Sequence, residues 1–174
     1  LSIERKRQII AHDCHNSFRL LLLKLLDSPD IKDRFNSLLL SIKDANKSFF
    51  HATLLILASS IFEFQLDLDN LIYILDDDLL NNPSFHTNDR LMEIIDFNEY
   101  RIKVRSSILA TSLLNNNNFH SELVNLLIQV VKKLDRRAYD KNNYRIVKNI
   151  VSFSRLQSIF NLNENQNFKP IILN

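Results

Sequence analysis

Glycine is absent from all 174 residues of the chain. Average usage of about 7% would place roughly a dozen in a chain of this length. Only glycine reaches positive φ without a steric penalty at Cβ and lets a backbone close tightly on a ligand. No loop of this chain can therefore cradle a phosphate in the manner of a Walker A or Rossmann loop, both of which are built on glycines. The task of ending helices passes to asparagine, the residue with a side chain that best tolerates the left-handed conformation. The run Asn115, Asn116, Asn117 and Asn118 is where this expectation is clearest.

With 45% hydrophobic and 24% charged residues, the chain carries enough apolar surface to fold. Its length suits one ordinary domain or two small ones that share a core. The single cysteine, Cys14, excludes an internal disulfide framework and fits a reducing compartment, so cytoplasm is the expected location. No apolar run reaches the roughly 20 residues of a membrane span, and no signal peptide is visible. The first residue is Leu1 rather than methionine, which suggests a fragment or a processed product.

Net charge is only +2, but it is unevenly spread. Residues 60–100 hold ten Asp or Glu against one Arg, and residues 101–157 hold eleven Lys or Arg against three Asp or Glu. Such asymmetry favours docking of one part on another, or on a charged partner; the alternative is two solvated faces of opposite sign.

The apolar periodicity is helical almost throughout. Asn16 can cap a helix through Phe18, Leu20, Leu21, Leu22, Leu23, Leu25 and Leu26, apolar nearly all round and so expected to be buried. Ser28 and Pro29 form an N-cap and first-turn pair for a helix over residues 29–42. Residues 47–64 make another, with Phe50, Leu54, Leu57, Ala58 and Ile61 on one face. Asp67 caps a short helix through Leu75, and a third helix is predicted over residues 85–94. One strand pair follows: residues 93–96, a turn at Phe97, Asn98 and Glu99, and residues 100–104, where Tyr100, Ile102 and Val104 alternate with Arg101, Lys103 and Arg105. Helix returns over residues 106–114. The last third reads as two long amphipathic helices: a stripe from Phe119 to Ala138 with Leu127 and Val130 at its centre, and another from Tyr144 to Phe160, paired across a short link. Residues 161–167 read as a linker and Lys169 to Leu173 as extended. The content expected is at least about 60% helix, against a soluble-protein mean near one third.

Candidate chemistry is sparse. His12, Cys14 and His15 are the one cluster of metal-ligand types, but no second pair has zinc-site spacing, and a helix-edge role fits them better. Cys14 as a nucleophile would need an oriented base and an oxyanion hole, and nothing marks either. Asp67, Asp69, Asn70 and Asp76, Asp77, Asp78 resemble a calcium loop only faintly, lacking its central glycine and closing Glu. No catalytic centre and no metal site are expected. Lys132, Lys133, Arg136 and Arg137, with Arg145 and Lys148 on the next helix, form a candidate interaction surface whose bland alternative is a plain solvated face. Three helices followed by a hairpin is the order of a winged helix. The third helix, however, offers only Arg90 against Asp89 and Glu93 and follows three aspartates, which argues against nucleic acid as a partner.

The string from His51 to Phe62, then Leu66 to Leu75, then Tyr100-Arg101-Ile102-Lys103-Val104-Arg105-Ser106-Ser107-Ile108-Leu109-Ala110, resembles the winged-helix region of STAND nucleotide-binding regulators, in particular the NACHT-like or AP-ATPase-like members of bacterial antiphage defence. The helix from Tyr144 to Phe160 is similar to the arm that joins that unit to a sensor region. The resemblance implies an upstream P-loop domain that binds ATP or ADP with Mg²⁺, a winged helix closed over the nucleotide at rest, and ligand sensing that releases it for homo-oligomerisation. It implies that neighbouring domains of the same chain are the partners. The Met-His-Asp pattern of related proteins is missing, and Arg105 stands where its His would be. Arg105 becomes the candidate nucleotide-phosphate sensor, placed before a helix N-terminus; the alternative is an ion pair with an acidic residue of the 60–100 region.

The fold class expected is mainly α, a winged-helix subdomain with one β-hairpin flanked by helical-bundle segments. Its divisions are a short helical subdomain over residues 1–45, a winged-helix-like domain over 46–115, an antiparallel helical arm over 116–160 and a linker over 161–174. The function expected is regulatory, coupling nucleotide state to ligand sensing and oligomerisation. A free-standing helical adaptor, viral or bacterial, and a winged-helix transcription regulator are the alternatives.

Overall fold

The computed structural model describes residues 2–15, 17–26, 28–79, 82–98, 101–115, 117–137 and 139–160. The Asn16 cap, Glu99 and Tyr100 of the hairpin, Ala138 and the whole 161–174 segment lie outside the described residues. Helix makes up 77% of the structure, and the one described sheet is a two-stranded antiparallel hairpin.

Helix α1 (Ile3–Gln8) runs into a π-helical turn (Ile9–Asp13) and is followed by α2 (Phe18–Leu26), α3 (Pro29–Ala45) and α4 (Lys47–Ile61). Next come α5 (Leu68–Leu75), α6 (Pro83–His86) and α7 (Asp89–Ile94), then strands β1 (Ile95–Asn98) and β2 (Arg101–Val104). Helix α8 (Ser107–Leu114) and a 3₁₀ turn (Asn117–Phe119) lead to α9 (His120–Asp135), α10 (Lys141–Ile150) and α11 (Phe153–Ile159).

Asparagine does not take the left-handed positions expected of it among the described residues, which exclude Asn116 of the predicted run. Among the described residues, positive φ belongs to His15 (47°), Glu63 (53°) and Asp76 (54°), and Asn115 closes α8 in the right-handed region. Asparagine caps helix N-termini instead. Asn46 accepts from the amides of Ser48 and Phe49, Asn82 from Ser84, and Asn88 from Arg90 and Leu91. The physical reason is the same short carbonyl that suits left-handed turns: it reaches the N2 and N3 amides equally well.

Two predicted helices are redrawn, one of them by such a cap. The segment expected as one helix over residues 85–94 is split, because the Asn88 side chain takes the amides that a continuous helix would bond to backbone carbonyls. The final helix is also broken. Ser152 leaves helical space at ψ 118°, and its carbonyl restarts the chain as α11 by accepting from Arg155 and Leu156. Asp67 caps as the sequence reading has it, accepting from Asn70, and Ser106, read there as the first residue of the helix, is its cap and accepts from Leu109. Ser28 is extended before Pro29, though its hydroxyl makes no capping bond.

Helix α4 is the axis of the molecule. Phe49, Phe50, Ala52, Leu54, Leu55, Leu57 and Ala58 are all buried, because α3, α5, α8, α9 and β2 surround it. A single apolar cluster runs from Leu39 through α4 and on to Phe160. Leu127 and Val130 of α9 are fully buried in it. Helix α2 was expected to be buried all round and is not. It rests on α3 and α8 with one side, and Phe18 and Leu25 on the other are 73% and 50% exposed. In the hairpin, Ile95 pairs with Val104, Asp96 with Lys103 and Phe97 with Ile102. Phe97, Ile102 and Val104 pack against the core.

Candidate functional site

The acidic and basic halves of the sequence meet. Helix α5 ends at Asp76 in the left-handed conformation, which leaves carbonyls at its C-terminus without helical partners. Side chains of α9 supply donors to them. Gln129 Nε2 donates to Ile74 O at 2.6 Å and Lys133 Nζ to Tyr73 O at 2.9 Å, and the same ammonium pairs with the Asp76 carboxylate. A cation at a helix C-terminus also meets the negative end of the helix dipole. The Arg137 guanidinium lies 3.5 Å from the centre of the Tyr73 ring, a cation–π contact.

The second corner is the turn after α4. Glu63 is left-handed there, and Arg155 of α11 donates to Phe62 O and, at 2.8 Å, to Glu63 Oε2. Asn149 of α10 donates to Glu63 O at 3.2 Å. Each of these corners is thus fastened by a cation from the 116–160 segment.

Beside the second corner lies a cleft of about 850 Å³. Its walls are the end of α4 (Ser59, Ser60), the stretch from Glu63 to Asp67, strand β2 from Ile102 to Val104, Ser107 at the start of α8, and Asn142 and Arg145 of α10. Both carboxylates of the lining are engaged: Glu63 by Arg155, and Asp67 by the backbone and side-chain nitrogens of Asn70. Arg145 donates to the neutral Asn142 Oδ1 at 3.1 Å. Lys103 stands opposite Asp96 in the register but forms no ion pair among the described residues. With Glu63 paired to Arg155, the lining sets the two cations Lys103 and Arg145 against one carboxylate without an ion pair among the described residues, Asp67, a surplus of one positive charge.

The residues singled out in the sequence do not gather at one place. Lys133 and Arg137 are committed to α5. Lys132, Arg136 and Lys148 are exposed, and Arg145 lines the cleft. Arg105 Nε donates to Met92 O at 2.6 Å and Ile95 O at 3.3 Å, so that end of the guanidinium meets the C-terminus of α7 rather than the N-terminus of α8. Its own amide bonds to Ile94 O, extending the hairpin ladder. Cys14 is buried while His12 and His15 are exposed, and no group of three His, Cys, Asp or Glu among the described residues is placed to hold a metal. No described helix is long and apolar enough to cross a membrane.

The sequence reading missed Ser59, Ser60, Lys103 and Ser107 as cleft residues and Glu63 and Asp76 as clamp residues. The uneven charge was the signal for the clamps. Nothing in local spacing marks the cleft, whose walls come from segments about 40 residues apart along the chain.

Two titrating groups sit where α3, α4 and α9 meet. Lys43 Nζ donates to Glu122 at 2.6 Å, and that hydrogen bond lowers the Glu122 pKa. Burial, helped by the charge of Lys47, lowers that of His51. His120, also buried, is a satisfied structural histidine: its Nε2 meets Leu114 O at 2.7 Å. No protein-family model, no curated protein and no solved structure matches the chain.

Proposed function

We propose that the chain is the regulatory segment of a STAND-type NTPase of antiviral defence, a winged-helix-like unit with a helical arm that couples nucleotide state to sensing and oligomerisation. The observation that carries this reading is the paired clamp. Helices α4, α5 and α6–α7, then the hairpin and α8, follow the order of a winged helix, and the arm α9–α11 is fastened to its corners by Lys133–Asp76 and Arg155–Glu63. An arm held by polar corner contacts is an element that a ligand can bias between two arrangements.

In this reading the glycine-free chain leaves nucleotide binding to an upstream P-loop domain, which holds ATP or ADP with Mg²⁺. Arg105, with Nε on the α7 carbonyls, has its two terminal amino groups for a phosphate. The exposed side of α2, with Phe18 and Leu25, is a contact for a neighbouring domain. That same face favours the alternative of a free-standing adaptor, and the encoding gene separates the two. The regulatory reading requires a P-loop domain upstream in the same polypeptide, and its absence would overturn the reading.

Given that domain, the test is nucleotide affinity and oligomeric state of the intact protein carrying Asp76→Lys with Glu63→Lys, and separately Arg105→Ala beside Arg101→Ala. Charge reversal at the corners is expected to shift the protein toward its oligomer. Loss of Arg105 alone is expected to weaken nucleotide binding by about 1.5 to 3 kcal/mol, as for a charged hydrogen bond. Unchanged oligomeric state and equal affinities would refute it.

A further inference from the structure

The cleft contains an open sheet edge. In an antiparallel pair, residues whose backbones bond across to the partner alternate with residues whose N–H and C=O point away from it. The bond from the Arg105 amide to Ile94 O, at 2.9 Å, sets the phase of this alternation. With Ile95 opposite Val104 and Asp96 opposite Lys103, residues 103 and 105 face β1, and residues 102 and 104 turn their amides and carbonyls outward. Ile102 and Val104 both line the cleft, on the side of β2 that no described strand covers.

Two outward residues spaced by two are the unit that an added strand pairs with. A cleft of about 850 Å³ has room for a short extended peptide and lies within the span of about 300 to 1,000 Å³ usual for binding sites. Its charge selects the occupant. Lys103 and Arg145 come from different elements, and of the two lining carboxylates Glu63 is paired with Arg155, which leaves Asp67 alone against the two cations. Ser60 and Ser107 add hydroxyls along the same wall.

We infer that this cleft receives an extended acidic segment of a partner protein, which adds as a third strand on the outer edge of β2 with its carboxylates toward Lys103 and Arg145. The inference does not depend on the nucleotide reading: it takes only the backbone phase from Arg105 and only the pairing of Glu63 from the second corner, and it gives neither the Arg105 guanidinium nor any nucleotide a role.

The test uses the full chain and a fluorescent, acetylated six-residue peptide alternating Val with Asp or Glu, read by anisotropy and by amide hydrogen exchange. Binding is expected, with new protection at the Ile102 and Val104 amides and little change at Lys103 and Arg105. Methylating one alternate set of peptide nitrogens should weaken binding at least about tenfold, as loss of paired backbone bonds requires, and methylating the other set should not. Lys103→Glu and Arg145→Glu should each weaken it, and a peptide with Lys for every acid should not bind. Three results would overturn the inference: both methylated peptides binding like the parent, competition by free glutamate or inorganic phosphate as effective as by the peptide, or protection of Ile102 and Val104 that rises with chain concentration alone. The last would assign the edge to a second copy. The methylated peptides keep the test decisive should a variant fail to fold.

Discussion

Glu63 shows how a glycine-free chain makes a corner. A left-handed residue with a side chain costs about 1 to 2 kcal/mol relative to its usual conformation, and Asp escapes part of this by bonding locally, which Glu does less well. At φ 53° Glu63 is held by Arg155 on its carboxylate and Asn149 on its carbonyl. The two contributions can be separated by a pair of variants that both lose the carboxylate. Glu63→Gly is expected to be more stable than Glu63→Ala by about 1 to 2 kcal/mol, because only the glycine is at ease at positive φ. Equal denaturant midpoints would mean that the corner relaxes when its ion pair is lost. Asp67 was legible as a cap from sequence because a cap acts over three residues. Glu63 was not, because its partners lie 86 and 92 residues away.

Elements meet at polar contacts as well as at apolar ones. Lys43 of α3 and Glu122 of α9 are joined at 2.6 Å across the side of α4 that carries His51, which is itself flanked by Lys47. The signs at this junction agree. Glu122 has a folded pKa below its unfolded value, so its contribution is complete above the ordinary carboxylate range and is lost as pH falls through the lowered value. His51 is also lowered; its neutral form is favoured in the fold, and stability falls as pH drops from the ordinary histidine value toward the lowered one. Acidification from neutral pH should therefore destabilise the chain first through His51 and then through Glu122. His51→Gln should flatten the first limb and Glu122→Gln the second, in urea midpoints followed against pH. Each effect should be at most about 1 kcal/mol for groups this accessible to solvent. A first limb unchanged by His51→Gln would assign it to another group.

Across the whole molecule, the apolar stripe of α9 has become part of one cluster around α4. Leu127 and Val130 have no exposed surface, so their truncation should leave cavities. Leu127→Ala is expected to cost about 2 to 5 kcal/mol and Val130→Ala somewhat less, in equilibrium unfolding. Unchanged midpoints would contradict the packing of α9 on α4.

Helical class, the hairpin and the cap at Asp67 were determined by sequence alone, since periodicity and capping are properties of neighbours within about four residues. Tertiary structure decided what depends on distant partners. It left one side of α2 uncovered although its sequence is apolar nearly all round, because α3 and α8 meet only the other side. It buried α4 from Ala52 to Ala58, turned Lys133 into a cap of α5 and laid Arg137 on the Tyr73 ring, and opened a cleft between β2 and α10. Each of these turns on which surfaces face each other after packing, and a face is shared by residues that no local spacing relates.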